Sequence, residues 1–448
     1  MPTCTADAEP GCLSGTEVQA LEAFDGKLYA GTTSWEETLS SVWPRTSAQV
    51  NVLSSEDGAW ERTPDLPGSP SCASGIAPWE QVNDLQAATF TVQGETSEHL
   101  FASVLANEDG GCPGLQATVF HLDEAGGRWV DTGLGSRLAT VYGDVPTEVR
   151  YIEAFADGTA DCPTERPCLF AFVGPRGGTA GPSAWRATYD PADDGCRLLC
   201  WDAEPEVVMG RDGAPPAARI VSSAGGPDGL LFGTTAAGIG RCPGLDEDAG
   251  CNRAALMRRA ERGIWEPAWL GTPVRDGGPE HVRGIASWAG DDGTSSTWFV
   301  TAPDGIVHRT DATGRSPEPA IEEITLGTLL PEACGERMLP YQLYIQEHDG
   351  GEGSPRLLAA SQSCASSPPD VIGRIFHRPV TTSDSWAVVD LPTIAQVGDD
   401  RANEAAIRCI ETSPFDDEDL YVGTTDMNST PASLTARIYR VPASVLAR

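Results

Sequence analysis

The chain repeats itself, and that fact limits its fold more than any other. A short strand-like segment recurs as "KLYAGTTS", "HLFASVLA", "CLFAFVGP", "GLLFGTTA", "TWFVTAPD", "RLLAASQS" and "DLYVGTTD", anchored on Tyr29, Phe101, Phe170, Phe232, Phe299, Leu358 and Tyr421. A period of roughly 60–70 residues suits repeat architectures in which each unit buries its apolar face against its neighbours. Another apolar stretch precedes each copy, as in "VQALEAF", "EVRYIEAF" and "AAIRCIET". In several units a turn dipeptide lies between the two: Asp25-Gly26, Asp157-Gly158, Asp228-Gly229, Asp292-Gly293 or Asp349-Gly350. Asp-Gly supplies the backbone of a tight hairpin. A third strand follows, as in "ATVFHL", "SAWRAT" and "GRIFHR", and a fourth forms around Trp60, Trp129, Trp201, Trp265 or Trp386. No stretch shows helical periodicity.

Four short antiparallel strands and a restart describe one propeller blade. The expectation is therefore an all-β chain: a seven-bladed β-propeller of four-stranded antiparallel blades over residues 17–448. The last unit lacks a clear fourth strand. Either the N-terminal segment 1–16 or Ser444–Arg448 would complete it and hide an unpaired edge.

The pattern "LYAGT … [IV]-[FY]-[RH] … DG-x-W" resembles the repeat of bacterial secreted β-propellers, including the degenerate Asp-box units of sialidase-like proteins. It is clearest in "FDGKLYAGTTS…SSEDGAWERT" and "DLYVGTTDMNSTPASLTARIYRV" and runs through nearly the whole chain from residue 17. "SSEDGAWE" is one residue short of the full Asp-box. The resemblance implies the fold. Such propellers include glycosidases and lectin-like binders, so activity has to be argued from a site.

Charge narrows the partners. The 448 residues carry 65 Asp+Glu against 30 Lys+Arg, a net charge of −35, and Lys27 is the single lysine. Either the codon bias of a GC-rich genome or life in a saline environment explains that scarcity. A polyanion is repelled by such a chain, so no nucleic-acid partner is expected, and anionic membrane surfaces are disfavoured likewise. No apolar run approaches the roughly 20 residues needed to span a bilayer. A monomer is expected.

Thirteen cysteines say where the chain lives. Several fall in close pairs within Gly-, Pro- and Asp-rich loops, as in "ADCPTERPCL", "DDGCRLLCW" and "RCPGLDEDAGC". With Cys409 a buried strand thiol, the remaining twelve allow six disulfides. No tight Cys/His cluster supports zinc. Disulfides imply an extracytoplasmic location: secreted, periplasmic or cell-surface. The opening "MPTCTADAEPGC" has no charged n-region or apolar h-region.

Aligning the first strands yields a candidate site: Gln19, Gln86, Arg150, Arg219, Arg283, Gln342 and Arg408. First strands border the central channel of a propeller, so this column forms a ring there. Guanidinium groups present forked donors that match carboxylate, sulfate or phosphate, so one reading is an anion-binding funnel. The other reading pairs each arginine with an acid on the adjoining blade, such as Glu153 or Glu411. A second column, His121, Arg186, Arg258, His308, His377 and Arg440, reads as packed strand residues rather than a metal site.

Asp-rich loops at 107–111, 245–250, 289–293 and 415–420 leave room for one structural calcium, though none has an EF-hand pattern. Otherwise no cofactor is expected. The chain contains no H-E-x-x-H, G-x-S-x-G, P-loop or dinucleotide fingerprint, and no catalytic residue can be named. The function expected is a secreted binding or interaction propeller with a small anionic ligand, a glycan or a protein as partner. A hydrolase or lyase acting on an acidic saccharide in the same funnel is the alternative, and a purely structural surface protein is a third.

Overall fold

The computed structural model describes residues 17–33, 48–68, 78–107, 112–176, 180–237, 253–290, 295–311, 320–330, 339–346, 355–362, 373–380, 385–391, 405–415, 418–426 and 437–446, apart from a few positions within them, together with Cys72 and a strand pair near 394–403. These residues are nearly all β, in consecutive antiparallel meanders. The first meander is β1 (Glu17–Phe24), β2 (Lys27–Thr33), β3 (Val50–Leu53) and β4 (Trp60–Arg62). Next come β5 (Trp79–Val92), β6 (Glu95–Ala106), β7 (Val119–Asp123) and β8 (Arg128–Asp131), then β9 (Thr147–Phe155), β10 (Cys168–Pro175), β11 (Ser183–Asp190) and β12 (Leu198–Trp201) with the short β13 (Val207–Val208). The fourth holds β14 (Ala217–Gly226), β15 (Gly229–Ala236), β16 (Ala255–Glu261) and β17 (Ile264–Leu270). The fifth is β18 (His281–Ala289), β19 (Ser295–Ala302), β20 (Ile306–Asp311) and β21 (Ile321–Thr325). The sixth is β22 (Leu339–Gln346), β23 (Arg356–Gln362), β24 (Gly373–Pro379) and β25 (Ala387–Asp390). A two-residue pair, β26 (Ile394–Ala395) and β27 (Ala402–Asn403), precedes β28 (Ala405–Thr412), β29 (Leu420–Asp426) and β30 (Arg437–Val441).

The first strands of successive meanders lie side by side in chain order, and β28 returns to lie against β1. This is a propeller-type fold. Single backbone bridges join the second strand of one meander to the first strand of the next: Thr33 to Gln81, Leu105 to Glu148, Thr235 to His281, and Thr425 back to Glu17.

The repeat motif has a packing cause. The glycine of "LYAGT" sits where the next inner strand presses closest. A Cβ on Gly31 would meet Val82 Cγ1 at 2.6 Å, one on Gly233 would meet Val282 Cγ1 at 2.8 Å, and one on Gly423 would meet Val18 Cγ1 at 2.8 Å. The tryptophans have a hydrogen-bonding cause. Trp129 Nε1 donates to Thr63 Oγ1 at 3.2 Å and Trp201 Nε1 to Thr132 Oγ1 at 3.1 Å, each reaching the preceding meander from a buried ring. Between meanders two and three the core is continuous, with Phe101 and Val119 packed in one cluster with Val149, Ile152 and Trp185.

The hairpin expected at Asp25-Gly26 is present, with φ of 50° and 67°. Those at 292–293 and 349–350 lie outside the described residues. Two helices depart from the sequence expectation. α1 (Leu134–Tyr142) buries Leu134, Leu138 and Tyr142 along one face, a single i, i+4, i+8 line too short to stand out among strand signals. α2 (Ala443–Leu446) occupies the segment in which Ser444–Arg448 was expected as a strand; the N-terminal alternative lies outside the described residues.

Three disulfides are formed, Cys72–Cys112, Cys162–Cys168 and Cys196–Cys200, and Cys409 is a buried free thiol. The other six cysteines lie outside the described residues, as do most of the Asp-rich loops considered for calcium. No helix among the described residues is long and apolar enough to cross a membrane.

Candidate functional site

Every inner strand contains a β-bulge. The register slips between Val18 and Ala20, Val82 and Asp84, Val149 and Tyr151, and Ile220 and Ser222. It slips again between Arg283 and Ile285, Pro340 and Gln342, and Ile407 and Cys409. A bulge bends its strand and re-aims the side chains around it. This shared irregularity, rather than the apolar anchors, sets which residues are equivalent.

By that measure Gln19, Arg150 and Arg408 share the bulge position and Arg283 stands beside it. Arg219 lies before its own bulge, whereas Gln342 and Gln86 lie beyond theirs. The expected ring is thus split between two ends of one channel. For Arg219 and Arg283 the anchors contribute: Ala20 pairs with Gly31, two past Tyr29, whereas Ser222 pairs with Gly233, one past Phe232, and Ile285 pairs with Phe299 itself.

At the first end the arginines meet glutamates. Arg150 Nε donates to Glu148 Oε1 at 2.8 Å, and Arg219 approaches the same carboxylate at 3.9 Å from a half-exposed position. Arg408 Nη2 donates to Glu17 Oε1 at 2.6 Å, and Gln19 also donates to Glu17. Arg283 belongs to this group: burial first, then the charges of Arg283, Arg219 and Arg150, push His281 down to about 4. Arg150, Arg219 and Arg408 therefore face acids, through Glu148 and Glu17 rather than Glu153 and Glu411.

At the other end the inner strands enclose a cavity of about 350 Å³. Four carboxyls line it: Glu22 of β1, Asp84 of β5, Glu153 of β9 and Glu411 of β28. Gln86, Tyr151, Gln342 and Tyr344 add polar groups, while β14 and β18 contribute Ser222, Ser223, Gly284 and other small residues.

Each polar side chain has a structural duty. Inner strands are the edges of their sheets, and an edge backbone needs partners. Glu22 Oε1 accepts from Ala87 N at 2.7 Å, Asp84 Oδ2 from Ile152 N at 2.9 Å, and Gln342 Oε1 from Ile410 N at 2.6 Å. Glu153 accepts from Ser223 Oγ at 3.0 Å and Gly225 N at 3.3 Å. Tyr151 OH donates to Val221 O at 2.9 Å, and Tyr344 OH donates to Glu411 Oε1 at 3.0 Å. Each of these bonds crosses from one meander to the next.

The carboxyls titrate high. Burial pushes Glu153 and Glu411 up to about 7, against the hydrogen bonds from Ser223 and Tyr344 that lower them. Burial and then the neighbouring Glu411 carboxylate hold Glu22 well above the ordinary range, and burial does the same for Asp84. At neutral pH the site holds protons and can both donate and accept hydrogen bonds.

Sequence reasoning named Glu153 and Glu411 as arginine partners and missed Glu22, Asp84 and Tyr344. Three residues past the bulge stand Glu22, Gln86, Glu153, Tyr344 and Glu411 in five of the meanders, and Asp84 stands one past its own, a register that only the structure reveals.

The second column serves packing. Arg186 is buried against Asp202 at 3.0 Å, and Arg440 meets Asp419 at 2.6 Å. Burial lowers His121, and it lowers His308 and His377 to about 4. Among the described residues the one group with metal-ligand spacing is Asp193 with Cys196 and Cys200, whose sulfurs are joined as a disulfide.

No family model and no curated protein matches the chain. Solved structures similar to it include a polysaccharide lyase at 10% identity, covering 96% of this chain and 91% of that one, with a TM-score of 0.48. An α-L-arabinofuranosidase variant from Fusarium graminearum in complex with an iminosugar inhibitor is 11% identical over 97% of this chain and 95% of that one, with a TM-score of 0.45. The intramolecular trans-sialidase from Ruminococcus gnavus is 11% identical over 95% and 94%, with a TM-score of 0.40.

Proposed function

We propose that the chain is a secreted, seven-bladed β-propeller that binds a small glycan in its central cavity. The observation that supports this reading is the cavity itself. Its volume suits a saccharide of one or two rings, and every inner strand contributes to its wall. Protonated carboxyls, two tyrosines and two glutamines offer both donors and acceptors, as a polyhydroxylated ligand requires. The arginine end is a weaker candidate, because Arg150 and Arg408 are already held by Glu148 and Glu17. The disulfides favour an oxidising compartment. Calorimetric titration of the intact protein with a panel of mono- and disaccharides tests the reading. Binding by the native protein, weakened about tenfold in Tyr344→Phe Gln342→Leu through lost hydrogen bonds, is the expected result. A native protein indifferent to the whole panel refutes it.

One observation favours hydrolysis as a second reading. Glu153 and Glu411, pushed up to about 7, hold a proton near neutrality, as a general acid must. Release of reducing ends from the bound saccharide, abolished in Glu411→Gln, would establish an enzyme. Intact saccharide after prolonged incubation leaves a binder.

A further inference from the structure

The cavity's acids are partly exposed and are held differently from the most deeply buried acids of the chain. Each fully buried carboxylate among the described residues faces an arginine: Glu17 meets Arg408, Glu80 meets Arg176, Glu148 meets Arg150 and Asp419 meets Arg440. A carboxylate taken out of water needs such a partner. The cavity lining, by contrast, contains no lysine, arginine or histidine among the described residues.

The imbalance holds on every side. Glu22, Asp84, Glu153 and Glu411 supply acids from four inner strands, and Tyr151 and Tyr344 are the other titratable groups of the lining. From β14 and β18 come only hydroxyls, glycine backbone and small aliphatic groups. The nearby cations Arg150, Arg283 and Arg408 act on Tyr151 from the other end, where Arg150 and Arg408 are bound to Glu148 and Glu17.

We propose that the ligand itself supplies the missing positive charge, and that this cavity takes an organic ammonium compound such as an amino sugar or a short diamine. The inference rests on the cavity reading given above and specifies its ligand. An ammonium has three donors and no acceptor, which matches carboxylates that each receive one or two hydrogen bonds from the protein and keep acceptor sites to spare. Its arrival favours the ionised carboxyls, so bound protons leave the site as the ligand enters. Binding therefore strengthens as the pH rises and the competing protons thin out.

Matched pairs of probes test this on the intact protein: putrescine against its diol analogue, and glucosamine against glucose. Calorimetry should show about tenfold or greater preference for the amine of each pair, as expected for an ion pair inside the protein. The preference should widen between about pH 5 and about pH 7, where both amines keep their ammonium charge, with heats that vary with the buffer's ionisation enthalpy because protons are released. Glu153→Gln should cost the amines about tenfold and leave the neutral probes unchanged. If that variant fails to fold, Glu411→Gln carries the same comparison. Equal affinity within each pair overturns the inference, as does amine binding that Glu153→Gln does not weaken. Glucose bound as well as glucosamine would remove the ammonium and leave the saccharide reading standing. Failure of every probe, and of the saccharide panel, would remove both.

Discussion

Glu17 and Glu411 lie on neighbouring inner strands of one ring, and they are housed in opposite ways. Glu17 is buried beside Arg408 and is held in an ion pair. Glu411 takes the hydroxyl of Tyr344 and its own strand's Thr412 N–H, with no arginine, and titrates near 7. The same division separates Glu148 from Glu153 on β9. Backbone bridges knit the meanders at the arginine end, so charges there can be locked tightly. Farther along, the strands are joined by side chains instead, and space opens between them. Pairing with arginine makes a carboxylate part of the scaffold. Pairing with amides and a proton leaves it available.

The sharpest way to break this comparison is to remove an arginine from the scaffold end. Arg408→Met keeps much of the aliphatic bulk but leaves Glu17 buried without its ion-pair partner. Losing one member of a buried pair costs about 3–5 kcal/mol. Urea denaturation should register a drop of that size. Tolerance of the substitution would mean that Glu17 is as adaptable as the cavity acids and that the two ends do not differ.

The next effect is one of pH, and its sign is opposite to the usual case for a carboxylate. Glu153 and Glu411 have folded values near 7, above the ordinary value of 4.5. The folded state thus binds more protons than the unfolded chain between those limits. Stability is greatest below 4.5 as far as these groups are concerned and is lost as the pH rises to about 7. The upper limit is roughly 3 kcal/mol per group. Repulsion within a chain of charge −35 acts in the same direction, so the discriminating measurement is the slope. The Glu153→Gln Glu411→Gln protein should melt with a visibly flatter dependence over this range. A slope unchanged by the double substitution would assign the whole effect to the surface.

The repeat made the fold legible. "LYAGT" with its glycine, the Asp-Gly turns and the spaced tryptophans each answer to one contact: Gly31 against Val82, Asp25 in its left-handed turn, and Trp129 on Thr63. Such signals are local and recur. The site was half legible. Arg150, Arg408 and Gln19 of the expected ring stand together at the bulge, whereas Gln86 and Gln342 line the cavity at the other end. A bulge inserts one residue without changing the apolar pattern around it, so an alignment on apolar anchors cannot see it. Nor could the sequence separate Glu153 from Glu148. Both are glutamates on one strand, and only the three-dimensional neighbours, Ser223 for one and Arg150 for the other, tell them apart.

The smallest effect concerns the boundary of the scaffold end. Arg219 reaches Glu148 at 3.9 Å with its side chain half exposed, whereas Arg150 holds the same carboxylate at 2.8 Å from a more buried position. An exposed, long ion pair is screened by water and salt and contributes about 0–1 kcal/mol. Arg219→Gln should therefore lower stability by less than about 1 kcal/mol, and added salt should abolish the difference. Arg150→Gln should cost several times more and respond weakly to salt, because it strands Glu148 inside the protein. A salt-insensitive loss of similar size in both variants would extend the scaffold to the rim. The two-ended division of the inner strands would then have to be redrawn around Arg219.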